Sequence, residues 1–266
     1  MAIPAPVSFW NFDETSGNAA DAVASNTLTN NASTPYVSGL INNCIDLERG
    51  SSQYMSILDA TQSGLDITPN LSVSLWVNLE SAPGADMGLV SKANFGTGAD
   101  LSYLLYYTAA GKIQFYIPDA SGNVSNPETT SAYTSTATWQ HFVAVFNSAS
   151  PTTMTFYVNG SSVGVTNNST ANTGSIRNSA YAFYVGAYGV NVLPTAFADG
   201  KIDMLGIWNV VLSAQDASDL YNGGAGIQYP FSATSSVKTW DSLANASIKT
   251  VDSLARASVK TVNGLA

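Results

Sequence analysis

Acid–base and nucleophilic chemistry has few residues to draw on in this chain of 266. There are four glutamates (Glu14, Glu48, Glu80 and Glu128), one histidine, His141, and one cysteine, Cys44. Glycoside hydrolysis needs two carboxylates flanking the scissile bond. The nearest approach is Asp46-Leu47-Glu48, which has no further acid two or three residues on. Gly160-Ser161-Ser162-Val163-Gly164 has the spacing of a serine nucleophile elbow. That motif works only between a strand and a helix, with its histidine later in the chain. Here the motif falls on the return strand of a hairpin, and His141 precedes it. His141 has no second histidine or cysteine cluster with which to hold zinc. Cys44 sits among apolar residues with no activating cation nearby, which predicts a buried, inert thiol. The expectation is a protein without enzymatic activity.

Tyrosine is the chemistry-bearing side chain the sequence does supply, with 13 copies. An aromatic ring offers a flat apolar face to a sugar ring, while its hydroxyl stays available for hydrogen bonds. Tyr106, Tyr107, Tyr116, Tyr133 and Tyr188 are the candidate ligand-binding residues. Tyr106 and Tyr107 are adjacent, so they point to opposite faces of a strand. Tyr116 falls on the neighbouring strand, and Tyr133 and Tyr188 read as loop residues. Trp10, Trp76, Trp139 and Trp208 lie in strands and read as core.

The elements that must position these residues are strands. In Leu71–Leu79 the apolar residues Leu71, Val73, Leu75, Val77 and Leu79 alternate with mostly polar ones, as a half-buried strand requires. Similar segments are 7–14, 44–49, 53–57, 87–92, 103–108, 112–117, 139–146, 154–158, 163–166, 181–186 and 201–208. Asn159-Gly160 marks a tight hairpin, and 214–221 is the one helical stretch. A dozen strands and one helix predict an all-β, antiparallel, two-sheet jelly-roll sandwich.

Composition agrees. Hydrophobic residues make up 45% of the chain and charged ones only 10%, against roughly 25% charged in an average globular domain. Residues 1–231 hold five basic and sixteen acidic residues. That balance excludes the basic stripe that nucleic-acid binding needs, and no run reaches the length of a membrane span. The N-terminal residues read as neither a basic nor an apolar leader region, so the expectation is either a leader already removed or a setting reached without secretion.

Past Phe231 the sequence changes character. Ser236–Ala244, Ser247–Ala255 and Ser258–Ala266 repeat with a period of eleven. Val237, Trp240, Ala244, Ile248, Val251, Ala255, Val259, Val262 and Ala266 step by three, four and four, and Leu243, Leu254 and Leu265 widen that apolar stripe. An eleven-residue period predicts a helical, right-handed oligomerisation seam. Asp-Ser and Asn-Gly within the repeats leave a turn in each repeat as the alternative. The boundaries expected are 1–231 for the sandwich and 232–266 for an oligomerisation or docking tail, assembling a trimer or dimer or binding another protein.

Several strand segments carry a family resemblance. Phe9-Trp10-Asn11-Phe12-Asp13-Glu14-Thr15-Ser16-Gly17 resembles the entry strand and turn of the laminin-G-like, concanavalin A-like lectin/glucanase superfamily, in its bacterial and phage branch, and is followed by Asp21. Then come Ser74-Leu75-Trp76-Val77, Leu89-Val90-Ser91-Lys92, Trp139-Gln140-His141-Phe142, Phe156-Tyr157-Val158-Asn159-Gly160 and the closing Gly200-Lys201-Ile202-Asp203. The resemblance implies two stacked antiparallel sheets and a structural calcium ion held by Asp21 and Asp203 with Glu14. The chain departs from the family pattern at Ala22-Val23-Ala24-Ser25-Asn26 and at Met204. Solvated turn acids at Asp13 and Glu14 are the alternative to that ion.

The tail also resembles, more loosely, C-terminal repeats of phage structural proteins. Together the resemblances imply a virion-surface appendage whose sandwich binds a carbohydrate or a host-surface receptor. A structural decoration protein without a specific ligand, and an extracellular bacterial cell-surface adhesin, are the alternatives.

Overall fold

The computed structural model describes residues 3–96 and 100–231, and in the tail only 250–251 and 254–255. The chain divides into two compact units, Met1–Phe231 and Ser232–Ala266.

Strands of the first unit open with β1 (Ser8–Trp10), β2 (Thr29–Asn31), β3 (Tyr36–Ser38), β4 (Asn43–Leu47), β5 (Tyr54–Ile57) and β6 (Leu71–Leu79). The middle is β7 (Met87–Phe95), β8 (Asp100–Tyr107), β9 (Ile113–Pro118), β10 (Val124–Thr129), β11 (Trp139–Phe146) and β12 (Thr155–Val158). It closes with β13 (Ser161–Ser162), β14 (Val165–Thr170), β15 (Phe183–Val185), β16 (Tyr188–Val190), β17 (Leu193–Thr195), β18 (Gly200–Trp208) and helix α1 (Ala214–Tyr221). An eight-stranded sheet runs β13-β12-β11-β6-β18-β4-β3, with β1 also on β18. A ten-stranded sheet runs β14-β10-β9-β8-β7-β15-β5-β2 and carries β16 and β17 off β7. Pairing is antiparallel apart from Gly189↔Asn94 and Val190↔Phe95, which are parallel. The all-β, two-sheet antiparallel sandwich expected from the sequence is therefore the observed fold.

Between the sheets lies one apolar core. It includes Trp10, Leu75, Tyr103, Tyr107, Phe115, Phe142, Phe146 and Phe183, all buried. Trp10 stacks on Phe183 at 5.5 Å, and its indole N–H donates to the Asn26 carbonyl at 2.8 Å. Cys44 is buried and without a disulfide. Burial first, and the nearby Asp203, push its thiol up to about 12, so it is no nucleophile at neutral pH. At the β12–β13 hairpin Asn159 and Gly160 both take positive φ, 50° and 74°, the conformation a two-residue type I′ turn demands.

The half-buried reading of Leu71–Leu79 needs correction. Ser72, Ser74 and Trp76, on the side away from the core, are also buried. A second cluster covers that outer face, joining Phe9, Trp76, Val143, Val145, Trp208, Leu212, Ala217 and Leu220. Helix α1 supplies Ala217 and Leu220, and it starts on a capping box between Ser213 and Asp216. Tyr229 and Phe231 complete the cover, with Phe231 stacked on Trp208 at 6.4 Å and edge-on to Phe9 at 5.4 Å. Gly206 lets the layer close, because a Cβ there would lie 2.4 Å from the Trp208 ring. Trp139 is only half-buried at the margin of this cluster and is not core.

Five strands had no clear sequence signal: β2, β3, β10, β16 and β17. They are short, rich in Asn, Ser and Thr, or interrupted by Pro127 and Pro194; β2, β3 and β17 stand at sheet edges, which tolerate such residues, and Pro127 lies at a register shift between β10 and β14. In the tail, Thr250–Val251 pairs antiparallel with Leu254–Ala255. Val251 and Leu254 are therefore extended and not helical, which corrects the helical reading for the middle repeat and favours the turn-containing alternative. The other seam residues, Val237, Trp240, Leu243, Ile248, Val259, Val262 and Leu265, lie outside the described residues.

The packing of Tyr229 and Phe231 sets the boundary of the fold. A chain ending at residue 231 should melt at the same temperature as the full chain. One ending at residue 222 should lose at least about 3 kcal/mol in urea unfolding, since it strips two rings from the second cluster.

Candidate functional site

Strand alternation sorts the candidate tyrosines. On β8, Tyr103, Leu105 and Tyr107 enter the core, and Leu104 and Tyr106 face outward. On β9, Ile113, Phe115 and Ile117 go inward. The register Leu104↔Tyr116 and Tyr106↔Gln114 sets the outward residues side by side. The end of β7 adds Phe95, and β16, held parallel beside it, adds Tyr188. The rings meet edge to face: Phe95–Tyr116 at 5.4 Å, Phe95–Tyr188 at 5.6 Å and Tyr106–Tyr188 at 6.2 Å.

Phe95, Tyr106, Tyr116 and Tyr188 are all half-buried, so each keeps part of its surface toward solvent. Tyr106 donates its hydroxyl to Gln114 Oε1, and Gln114 Nε2 donates to the Asn126 carbonyl at 2.9 Å. The outer face is thereby held in one arrangement. Burial raises the phenols of Tyr106, Tyr116 and Tyr188, which keeps them neutral hydroxyls. Such a face can stack on the C–H side of a sugar ring and exchange hydrogen bonds at its margin.

Three of the five candidate tyrosines thus come together. The other two do not. Tyr107 is a fully buried core residue, as its opposite parity to Tyr106 requires. Tyr133 packs against the core beside Phe142 at 5.6 Å, and is a filler at the sandwich edge. The sequence reading missed Phe95, because the apolar alternation of β7 seemed to end at Lys92. It also placed Tyr188 in a loop.

A second ring group, Tyr54, Tyr181, Tyr184 and Phe197, lies on the other flank of the β16–β17 hairpin. Tyr54 and Tyr181 each meet Tyr184 edge-on, at 5.3 Å and 5.6 Å. Gly189 permits this approach, since a Cβ there would come within 2.6 Å of the Tyr181 ring. The hairpin tip carries Asn191 and Val192 at φ 50° and 64°. Left-handed backbone costs a residue with a Cβ about 1–2 kcal/mol, and it is least natural for a β-branched one. The tip is nonetheless held, by Asn191 N–H on the Phe95 carbonyl and Val192 N–H on Asn94 Oδ1, each at 2.8 Å.

The three acids that the resemblance assigned to calcium do not share a site. Glu14 Oε1 accepts from Ala20 N–H at 2.8 Å. Asp21 accepts from the backbone N–H groups of Phe9, Val23 and Asn26 at 3.1, 3.0 and 3.3 Å. Asp203, fully buried, accepts from Leu40 and Ile41 N–H at 2.9 and 3.3 Å. Each carboxylate is thus an organiser of its own loop. Among the described residues the one acidic group with oxygens within 4.8 Å is Asp46, Glu48 and Glu80. It is largely exposed, and Lys201 lies opposite Asp46 in register.

A polar depression of about 480 Å³ is lined by residues including Asn18, Asn30, Thr34 and Tyr36. Its amides hold the loops together: Asn30 Nδ2 donates to the Gly17 and Thr34 carbonyls, and Asn30 Oδ1 accepts from Thr34 N–H. His141 is likewise structural. Its Nε2 bonds Ser74 Oγ at 2.8 Å, and its ring lies beside Trp76 and Tyr221, 5.0 and 6.2 Å away, which stack on each other at 5.6 Å. Ser162, the serine of the elbow-like motif, is exposed on β13.

Burial holds His141 down to about 3. Burial pushes Asp203 up to about 7, against the lowering effect of the Ile41 and Leu40 amides, and Asp13 adds to the rise. Their pH effects oppose. Below about pH 6.5 the unfolded chain protonates its histidine and the folded chain does not, so stability falls toward pH 3. Asp203 takes its proton in the folded state from about pH 7 downward, and in the unfolded state only near 4, so it adds stability over that range. In urea unfolding at pH 6.5 and 4.5, His141→Gln should gain stability relative to the parent chain as pH falls. Asp203→Asn should lose it, each by up to about 2–3 kcal/mol. Parallel shifts of the two variants would refute the assignment.

Comparison with known proteins follows the geometry. Residues 49–218, well over half of the chain, match the family model Laminin_G_3, of the concanavalin A-like lectin/glucanases superfamily. Among solved structures, the binding domain of botulinum neurotoxin serotype G is similar with a TM-score of 0.60 and 13% identity, over 82% of this chain and 50% of that one. The binding domain of Paraclostridial mosquitocidal protein 1 gives 0.58 and 14%, over 79% and 52%. Trypanosoma rangeli sialidase gives 0.59 and 14%, over 85% of this chain and 34% of the sialidase. The likeness at these identities is one of fold, and the chain spans only about a third to a half of those proteins. Curated proteins yield no match. On the family match, borne by a fold of the same kind, the chain belongs to the Laminin_G_3 family of concanavalin A-like domains.

Proposed function

We propose that this protein is a carbohydrate-binding module, and that the outer aromatic face of the ten-stranded sheet receives the glycan. The observation that carries this reading is the meeting of Phe95, Tyr106, Tyr116 and Tyr188 from four strands, each ring half-exposed. Core packing does not require aromatic residues on an outer face, and a sugar is the ligand that rewards flat apolar surface ringed by hydroxyls. Two of the similar structures are binding domains, which agrees with a lectin-like use of this fold.

In the same reading the module is displayed in several copies on a virion surface, where it meets a host-surface glycan or receptor. The eleven-residue repeats of 232–266 join copies as a trimer or dimer, or dock the module onto another virion protein. Multivalent display would raise the avidity of a face that binds one sugar weakly. Calcium has no part in this mechanism, because the four rings contact the ligand directly.

The test is a broad glycan array probed with the full chain, followed by calorimetry on any hit. Tyr188→Ala and Tyr116→Ala should each weaken binding by about tenfold or more, as loss of an aromatic anchor does. Their melting temperatures should stay within a few degrees of the parent, and binding should persist in chelator. A full-length chain that binds no glycan would replace this reading with the ligand-free decoration protein. A monomer in light scattering, with and without 232–266, would remove self-assembly through the tail.

A further inference from the structure

We infer that the sugar this face selects is uncharged and carries a methyl group, as an N-acetylated or 6-deoxy sugar does, and that the tip of the β16–β17 hairpin reads that methyl. The inference rests on the glycan-binding reading above and sharpens it.

Charge speaks first. The ionisable groups that influence the ring cluster are Asp86 and Glu128 near Tyr106 and Arg177 near Tyr116. Lys112 is paired with Glu128 at 2.7 Å, and Lys92 is buried and paired with Asp59 and Asp66. No surplus of positive charge faces a ligand here, and residues 1–231 carry sixteen acidic groups against five basic ones. Asp86 balances Arg177 here, so an acidic sugar would find no net positive field to hold it, and the chemistry points to a neutral one.

The hairpin supplies the second half. Val190 pairs directly with Leu193, and Tyr188 with Thr195. Residues directly opposite on an antiparallel pair share a face, and so do residues two apart on one strand. Leu193 and Val190 therefore extend the face that Tyr188 begins, immediately beside Phe95. Leu193 is 64% exposed and Val192 at the tip is 68% exposed. Val192 stands at positive φ, where glycine would relieve the strain and expose no apolar surface. Two aliphatic groups are thus held in water at the edge of a sugar-stacking surface, by backbone bonds to Asn94 and Phe95. An unsubstituted hexose stacked by its C–H face on the rings turns its hydroxyl-bearing rim toward them. A sugar with an acetamido or C6 methyl group gains apolar contact there.

The experiment compares four probes on the full-length protein by calorimetry: chito-oligosaccharide, rhamno-oligosaccharide, cello-oligosaccharide of the same length, and sialyllactose. One or both methyl-bearing probes should bind about tenfold tighter than the cello-oligosaccharide, the usual worth of a single apolar group. The arm that binds distinguishes acetamido from 6-deoxy recognition. Leu193→Ser should erase the preference by bringing the methyl-bearing probes down to the affinity of the cello-oligosaccharide. Val192→Gly should reduce it without lowering the melting temperature, a combination that a merely structural residue would not give. Equal binding of cello-oligosaccharide, lost in Tyr188→Ala, would overturn this inference and leave the glycan reading intact. Tighter binding of sialyllactose would overturn it as well. Failure of every probe, alongside an empty array, would remove both.

Discussion

Phe9, Trp76, Trp208 and Phe231 pack under helix α1 on the outer face of the eight-stranded sheet. That layer decides which side of the sandwich is open. A two-sheet sandwich has two outer faces, and polar alternation normally leaves both to water. Here one is sealed, so that even Ser72 and Ser74 are buried and bonded, Ser72 Oγ to the Val210 carbonyl and Ser74 Oγ to His141. The ten-stranded sheet has no such cover among the described residues. Its outward rings stay half-exposed, because the chain's helix and closing aromatics are committed to the opposite sheet.

Holding an aromatic face open in water demands a rigid support beneath it, since a loose one would fold its rings away from solvent. Lys92 provides part of that support. It lies on β7 three residues before Phe95, fully buried, with its ammonium 2.6 Å from Asp59 and 3.0 Å from Asp66, and also bonded to the Ser179 carbonyl. The ladder shifts register between Lys92 and Ala93, which lets β7 turn its last residues toward β16. A buried cation is tolerable only where its partners are fixed. Lys92 therefore ties β7 to the segments at 59–66 and at 179, and β7 holds Phe95 and the hairpin in turn.

Much of this was legible in the residues. Alternation in Tyr103–Tyr107 separates Tyr106 from Tyr107, and the structure sends one outward and the other into the core. Helix α1 falls where a Ser-x-x-Asp start precedes 214–221. What the sequence concealed has physical causes. Trp76 and Trp208 read as core, but their core is the second, outer one, because alternation cannot say what covers the far face of a sheet. Tyr188 reads as a loop residue because β16 is three residues long and pairs parallel to β7, a geometry with no local signature. The acids Asp21 and Asp203 have the residue type that calcium requires, and backbone amides bond Asp21 and Asp203 Oδ2, while Asp203 Oδ1 is buried without a hydrogen-bond partner. Sequence shows which donors exist and not which are spoken for. In the tail, a spacing of three and four suits a helix, while Ser, Thr, Val and Asn are weak helix formers. The pairing of Thr250–Val251 with Leu254–Ala255 follows the propensity and not the period.

The β16–β17 hairpin is where local and global demands disagree most openly. A two-residue turn of this kind asks for Asn-Gly, and the chain uses that pair at 159–160, where nothing but a tight reversal is needed. At 191–192 it uses Asn-Val instead, with the valine at φ 64° and two-thirds exposed. The same protein thus solves one turn with the unstrained residue and the other with a strained apolar one. Strain kept in the presence of an easy remedy is the kind of local inconsistency expected where a residue answers to a ligand as well as to the fold. The hairpin bearing it also divides the two tyrosine groups, with Tyr188 on one flank and Tyr181 against Gly189 on the other. A change at its tip would leave the sandwich core untouched. That separation of duties lets a β-sandwich of this family change what it binds without changing how it folds.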